Sequence, residues 1–200
     1  MKKLNTLALA IAALTLVTGQ ASAYTVDLYD TNTIGSLAEA DALIASHAIT
    51  VSTKASIIEY DDLGDNTRGL FSVNNAWPGG LNATFAAHVY GTFFLATGGT
   101  WELGTNHDDG DRMIIDGLSP LISDGVADNR TTTTTYNLAA GYHTVDIVFF
   151  ENAGGASLEF FGRQGTNAYQ LIQGVPEPTT LALVGLSLAG LGFSQRKKKA

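Results

Sequence analysis

The 200-residue sequence predicts an all-β body, an antiparallel, jelly-roll-like β-sandwich, with a short N-terminal helix and a C-terminal apolar helix. Apolar and polar residues alternate over several short segments, most clearly in 141–151, GYHTVDIVFFE. Gly-rich turns such as TGGT, NHDDGD and NAGGA separate these segments. Because the chain has no cysteine, core packing must hold the sandwich together without disulfides.

The first 23 residues have the parts of an export signal. Lys2 and Lys3 precede an apolar stretch, and Ala21 and Ala23 form the small-x-small pattern that a signal peptidase accepts. We expect cleavage after Ala23, and the alternative is a retained membrane anchor. Residues 1–23 are therefore predicted to be a signal peptide that precedes a body at 24–174.

Within the body, one segment has helical periodicity and the others are strands. In SLAEADALIAS, Ser36 and Glu39 have the spacing of a capping box, which predicts a helix start. Five consecutive threonines, Thr131–Thr135, favour an edge strand with hydroxyls facing water, although they could instead carry glycans. Further alternating strands are predicted in TFAAHVYGTFFLA, TWELG, RMIIDG and ASLEFFG.

The body is strongly acidic. It contains eighteen of the nineteen acidic residues of the chain but only five of the eleven basic ones. Without a basic stripe to displace counterions, binding to nucleic acid is disfavoured. The charge fits a cation-dependent surface protein better, although acidity can also serve solubility alone.

The C-terminal segment has three parts in a fixed order. Pro176 and Pro178 interrupt the preceding fold, Leu181–Phe193 is almost wholly apolar, and a cluster of basic residues follows. A helix of thirteen residues is about 20 Å long, and flanking Thr and Ser residues bring it close to the length that spans a bilayer. The composition predicts a stop-transfer helix with a cytoplasmic basic end.

Residues 175–200 closely resemble the PEP-CTERM sorting signal, through Val175, Pro176, Glu177 and Pro178, the apolar segment and the basic end. The resemblance implies a Gram-negative bacterium that makes exopolysaccharide and a tail that inserts transiently into the membrane. It also implies cleavage by an exosortase near Pro-Glu-Pro. The mature protein is then expected at the cell envelope, the cell surface or the extracellular matrix, as in a biofilm.

The stretch TNHDDGDRMIIDG crowds four carboxylates just before an apolar run. Either water screens them in an exposed turn or a cation holds them together. The EF-hand template is excluded, because counting from Asp109 places Pro120 where a bidentate Glu is required. Calcium accepts loop carboxylates and amides as ligands, so Asp108 and Asp109 are candidate metal ligands, with Asn106 and Asp111 as weaker candidates.

The body resembles the protective-antigen-type (PA-fourteen) lectin-like domain, most strongly over residues 85–172. The resemblance rests on GTFFLATGGTWELGTNHDDGDRMIIDG followed by AAGYHTVDIVFFENAGGASLEFFG. It implies a β-sandwich in which Asp108 and Asp109 hold a calcium ion that contacts sugar hydroxyls, with extracellular polysaccharide as the partner. Some members of that family are structural and bind no sugar.

Several other polar residues have structural interpretations. Asp116 is expected to fix a hairpin turn. Glu151 and Asn152 are expected to lie in a loop, although they could approach the same end of the sandwich as Asp108 and Asp109. His107 is expected to be exposed, although it could tune the acidic loop. Trp77 could stack on a sugar ring or anchor a packed loop. The histidines lack the spacing of zinc ligands.

The sequence contains no pattern that predicts an enzyme. G-x-S-x-G, HExxH and cysteine are absent, and two adjacent aspartates cannot flank a glycosidic bond. We therefore expect a calcium-dependent carbohydrate-binding module. The alternatives are a structural matrix protein of the same fold and a membrane-anchored adhesin that keeps its C-terminal helix.

Overall fold

The structure is a computed structural model that describes residues 24–61, 69–71, 75–81 and 83–175. The predicted signal peptide, the segment from Pro176 onward and its predicted apolar helix lie outside these ranges. No helix in the described ranges is long and apolar enough to cross a bilayer. The elements within them are β1 (Tyr24–Asp30), α1 (Leu37–Ser46), β2 (Val51–Ala55), β3 (Glu59–Asp61), β4 (Thr84–Leu95), β5 (Gly99–Asp108), β6 (Gly110–Ile115), β7 (Leu121–Ser123), β8 (Arg130–Leu138), β9 (Gly141–Asn152), β10 (Ser157–Gln164) and β11 (Gln170–Leu171).

The strands form two antiparallel sheets, which confirms the predicted sandwich. The six-stranded sheet has the order β2-β1-β4-β9-β6-β7. The five-stranded sheet has the order β11-β10-β5-β8, and β3 also pairs with β10. Alternate residues of each strand point between the sheets, and the core includes Phe85, Val89, Phe93, Ile147 and Phe149.

Helix α1 lies where the sequence predicts it. The Ser36 hydroxyl accepts the N–H of Glu39, and the Glu39 carboxylate accepts the N–H of Gly35, one residue before the expected position. The apolar side of α1 packs on the outer face of the six-stranded sheet, where it forms a second cluster with Tyr29, Ile34, Ala86, Val148 and Phe150. The helix therefore covers part of a sheet face that would otherwise be exposed.

The threonine run forms the edge of the five-stranded sheet, as predicted. Strand β8 pairs on one side with β5 and has no second neighbour in the described sheet order. Thr131 and Thr135 are exposed, and the Thr133 hydroxyl donates to Glu102.

The strand registers define two ends of the sandwich. The end of β5 at Asp108 and the end of β9 at Asn152 lie at one end, which we call the acidic pole. The β4–β5 turn, the end of β10 and Val175 lie at the other, which we call the exit pole. Eight residue-to-residue steps along β4, from Phe85 to Phe93, separate the two, a distance of about 26 Å.

Candidate functional site

The paired aspartates form the corner between two strands on opposite sheets. Strand β5 ends at Asp108 and β6 begins at Gly110, so Asp109 alone connects them, and the peptide bond between the two aspartates is cis. Only 5% of Asp108 and 3% of Asp109 is exposed. The corner is thus buried, and bulk water does not screen these carboxylates as it would in an exposed turn.

Glu151 joins the two aspartates. One carboxylate oxygen of each of Asp108, Asp109 and Glu151 lies within 4.8 Å of the others. The expected loop position of Glu151 is wrong, because it lies in β9 and only 1% of it is exposed. The alternation that directs Ile147 and Phe149 into the core also directs Glu151 inward, and this sequence signal could have identified it.

Asp109 organises the loops around the cluster. One of its carboxylate oxygens accepts the N–H of Ala127, and the other accepts the N–H of Asn152, both at 2.8 Å. The side-chain amide of Asn152 in turn donates to the carbonyl of Ile34, before α1. Asp109 therefore ties the β7–β8 loop and the end of β9 to the strand corner. Each carboxylate oxygen can still offer a second lone pair to a cation.

His107 supports the corner from the interior. It is fully buried, so the expectation that it is exposed is wrong. Its Nδ1 lies 2.6 Å from the carbonyl oxygen of Asp109, which can only accept, so Nδ1 carries a proton and donates. Its Nε2 lies 3.0 Å from the Thr132 hydroxyl and 3.3 Å from the Asp111 carboxylate. The imidazole thus fixes the main chain at Asp109.

The two weaker candidate ligands lie beside the cluster and are not among its three acids. Asp111 is fully buried next to His107, and burial raises the pKa of its carboxyl, against the opposing effect of His107. The amide of Asn106 donates to Asn129 and Thr131 and accepts from Asn129. The side-chain amide of Asn106 is therefore already hydrogen-bonded on the outer face of the five-stranded sheet.

The remaining residues singled out in the sequence have structural contacts. Asp116 adopts a positive φ of 51° and accepts the N–H of Thr144, as expected for a turn. Although burial alone would raise its pKa, hydrogen bonds with His143 and Thr144 hold the pKa of Asp116 below its usual value. Trp77 is a packed anchor, stacked on Tyr60 and Phe149 and donating to the carbonyl of Ala156.

The chemistry of the cluster favours a hard cation. Three buried carboxylates repel one another in a region of low dielectric, and a divalent ion would offset this repulsion. Calcium binds oxygen at 2.3–2.6 Å, so oxygens that share one ion are at most about 5 Å apart, which the observed spacing satisfies. The three acids supply only part of the six to eight oxygens that calcium takes, which leaves positions for other oxygens.

Comparison with known sequences identifies the tail. A family model of the PEP-CTERM protein-sorting motif matches residues 174–197. The match confirms the resemblance seen in the Pro-Glu-Pro triplet and indicates an exported, surface-sorted protein. No curated protein matches the chain.

Solved structures of PA14 (PA-fourteen) domains share the fold of the body. The PA14 domain of the antifreeze protein MpAFP has a TM-score of 0.61 at 19% identity, over 78% of this chain and 92% of that one. The PA14 sugar-binding domain from an RTX adhesin has a TM-score of 0.56 at 21% identity, over 78% and 99%. The A domain of epithelial adhesin 6 from Candida glabrata, in complex with Galβ1-3GlcNAc, has a TM-score of 0.57 at 13% identity, over 82% and 92%. The body therefore has the PA14 fold.

Proposed function

We propose that this protein is an exported module that binds extracellular polysaccharide through a calcium ion held by Asp108, Asp109 and Glu151. The observation that supports the proposal best is the convergence of three buried carboxylates within 4.8 Å at one end of the sandwich. An all-oxygen set without histidine or cysteine suits calcium better than zinc or copper. The protein binds its ligand and catalyses no reaction.

The carbohydrate part of the proposal depends on the open coordination positions and on the fold. Hydroxyl oxygens of a sugar can complete the shell of a calcium ion that the protein only partly surrounds. Val126, next to Ala127 at the acidic pole, is 57% exposed and offers an apolar contact for a sugar ring. Two of the fold neighbours are a sugar-binding domain and an adhesin solved with a disaccharide, which supports the same ligand class.

Calcium binding is tested by thermal unfolding with and without the ion. Extracellular calcium modules bind with dissociation constants on the order of 0.1–1 mM, so about 10 mM calcium should stabilise the protein by roughly 1.4–2.7 kcal/mol. The double substitution Asp108→Asn with Asp109→Asn should abolish this calcium-induced shift. Asp30→Asn, which neutralises an exposed acid, is the matched control and should keep the shift. A double variant with an unchanged shift would contradict the proposed metal site.

Polysaccharide binding is tested on a glycan array, with calcium and again with a chelator. We expect binding that calcium supports, that the chelator removes and that the double variant lacks. The alternative is a structural matrix protein of the same fold, for which the array stays silent under both conditions. A calcium-dependent thermal shift combined with a silent array would retain the metal site and refute the carbohydrate ligand.

We also propose that an exosortase removes the tail near Pro176 during sorting, after signal peptidase has cleaved behind Ala23. The exported body would then correspond to residues 24–174, or to a chain that ends a few residues later. Intact-mass spectrometry of the surface protein tests both cleavages. A mature chain that retains Leu181–Phe193 would instead indicate a membrane-anchored adhesin.

A further inference from the structure

The chain leaves the sandwich at a point fixed by the six-stranded sheet. The N–H of Val175 donates to the carbonyl of Thr92 at 2.9 Å, and the Thr92 hydroxyl donates to the carbonyl of Val175 at 2.7 Å. One residue earlier, Gly174 forms an antiparallel bridge with Phe93. The exit point is therefore held against β4, one residue from Phe94.

Aromatic side chains surround this exit point: Phe94 and Tyr142 are exposed, and Trp101 is half-buried. Phe94 and Tyr142 lie opposite each other on β4 and β9, with ring centroids 5.2 Å apart. They are 49% and 53% exposed, which is unusual for an aromatic pair. Phe94, Trp101 and Val175 also line one groove of about 560 Å³. We call Phe94, Trp101 and Tyr142 the exit-pole aromatics.

The sheet face beside these side chains is open. Helix α1 packs over Ala86, Val148 and Phe150, which are the positions of the outer face toward the acidic pole. Toward the exit pole, the same face has a shallow hollow of about 510 Å³ lined by Tyr90 and Thr144. In the described part of the chain, α1 thus covers one half of the face and leaves the other half accessible.

The sequence limits how far this pole can be from the apolar segment. Leu181 follows Val175 by six residues, and six residues span at most about 20 Å even when fully extended. Whenever Leu181–Phe193 lies in a bilayer, the exit pole must therefore stay close to the lipid headgroups. The short tether also raises the effective concentration of the lipid surface at this pole.

We infer that the exit-pole aromatics dock this end of the sandwich on the lipid surface while the apolar segment is inserted. The inference rests on the membrane step of the proposed function. Aromatic side chains favour the interface between headgroups and hydrocarbon, where an apolar ring is buried and a polar tip stays hydrated. A free polysaccharide could also contact these rings, but no tether holds it beside them.

The two tryptophans of the chain make the docking measurable. Trp101 lines the groove beside Phe94 and Val175, whereas Trp77 is only 4% exposed and lies in the core. The full chain is produced in a host that lacks an exosortase, and its retained tail is verified by intact mass. It is then reconstituted into phosphatidylcholine vesicles whose acyl chains carry bromine, a short-range quencher. We expect a loss of tryptophan emission that the substitution Trp101→Phe removes.

Substitutions in the aromatic pair test the surface itself. Phe94→Ser with Tyr142→Ser should reduce the quenching of Trp101 without reducing flotation with the vesicles, which reports insertion of the tail. Ile49→Ser with Ile122→Ser is the matched control, because these side chains are 47% and 53% exposed but belong to the other half of the molecule. Circular dichroism verifies that both variants fold.

Four results would overturn docking. The first is flotation of the wild-type chain without quenching, which leaves the sorting step intact. The second is quenching that the aromatic substitutions do not change. The third is a Phe94→Ser with Tyr142→Ser variant that is quenched normally but no longer binds polysaccharide. That result would mean that the exit-pole aromatics bind sugar and not lipid. A wild-type chain that fails to float would overturn the membrane step together with docking.

Discussion

At the scale of single residues, the acids of the candidate site differ in what they do for the fold. Asp109 accepts main-chain N–H groups from two separate loops, so it is required for the shape of the acidic pole. Glu151 enters the cluster from β9 and adds a third negative charge. Substitutions at the two positions should therefore affect stability and calcium binding differently.

We predict that Asp109→Asn lowers the melting temperature even in chelator. Its amide can replace only one acceptor, and a buried N–H that loses its partner costs about 1–3 kcal/mol. Glu151→Gln leaves both of these main-chain contacts in place and should instead reduce the calcium-induced shift, because it removes one of the three carboxylates of the cluster. Thermal unfolding in chelator and in calcium measures both effects. Equal behaviour of the two variants would contradict the division of roles.

Glu159 is a further buried acid, and it lies outside the candidate site. It is 2% exposed on β10 and accepts the N–H groups of Leu70 and Phe71, which attach that segment to the outer face of the five-stranded sheet. Burial raises the pKa of Glu159 to about 7, and the charges of Glu59 and Asp61 act in the same direction. Ionised Glu159 therefore lowers the stability of the folded state.

The contribution of Glu159 to the free energy of unfolding depends on pH with a definite sign. A carboxyl whose pKa is raised from 4.5 to about 7 on folding contributes stability below pH 4.5 and loses it as pH rises through about 7. We predict that the stability of Glu159→Gln relative to wild type increases from pH 5 to pH 8, by roughly 3 kcal/mol at most. Denaturant unfolding at several pH values measures it. Glu102→Gln is the control, because the Tyr169 and Arg163 hydrogen bonds hold the pKa of Glu102 below its usual value. The stability of Glu102→Gln relative to wild type should therefore change little between pH 5 and pH 8.

At the scale of elements, the strand corner depends on a residue without a side chain. A Cβ added to Gly110 would lie 2.4 Å from the ring of Phe150 and 3.0 Å from the carbonyl of Ser123. Gly110 starts β6 directly after Asp109. The close approach of β9 to this residue therefore helps to place the corner.

We predict that Gly110→Ala destabilises the protein by about 1–3 kcal/mol, because an added methyl group overpacks the corner. It should also weaken the calcium-induced shift, since Asp109 must move with its neighbour. Combining it with Phe150→Leu removes the nearest ring atoms and should recover part of the loss. Denaturant unfolding of the two single variants and the double variant measures the coupling, and purely additive effects would argue against the clash.

The strands and helix α1 could be predicted from the sequence more fully than the candidate site at the acidic pole. Alternation identified the strands of the core, and the spacing of Ser36 and Glu39 identified the start of α1. These patterns depend on near neighbours in the chain. Glu151, in contrast, meets Asp108 only because β9 and β5 end at the same pole, and that juxtaposition depends on pairing across two sheets. The burial of His107 follows from the same pairing.

At the scale of the whole molecule, the candidate site and the exit of the chain are on opposite ends. The acidic pole contains the cluster of three carboxylates, and Val175 leaves from the exit pole about 26 Å away along β4. A chain held at its C-terminal segment would thus direct the acidic pole away from the membrane. This arrangement suits a module that collects polysaccharide from the surroundings of the cell.

The absence of cysteine allows this orientation to be tested with single thiols. Val126→Cys places a thiol at the acidic pole, and Tyr142→Cys places one at the exit pole; both positions are more than half exposed. In vesicles that hold the uncleaved chain, a membrane-impermeant maleimide should modify the first thiol rapidly and the second slowly. The same two modification rates are also measured in urea, where the chain is unfolded and both thiols are accessible. Their ratio in urea gives the difference in intrinsic reactivity, for which the ratio in vesicles is corrected. The opposite order in vesicles would place the calcium site against the membrane, where a soluble polysaccharide could not reach it.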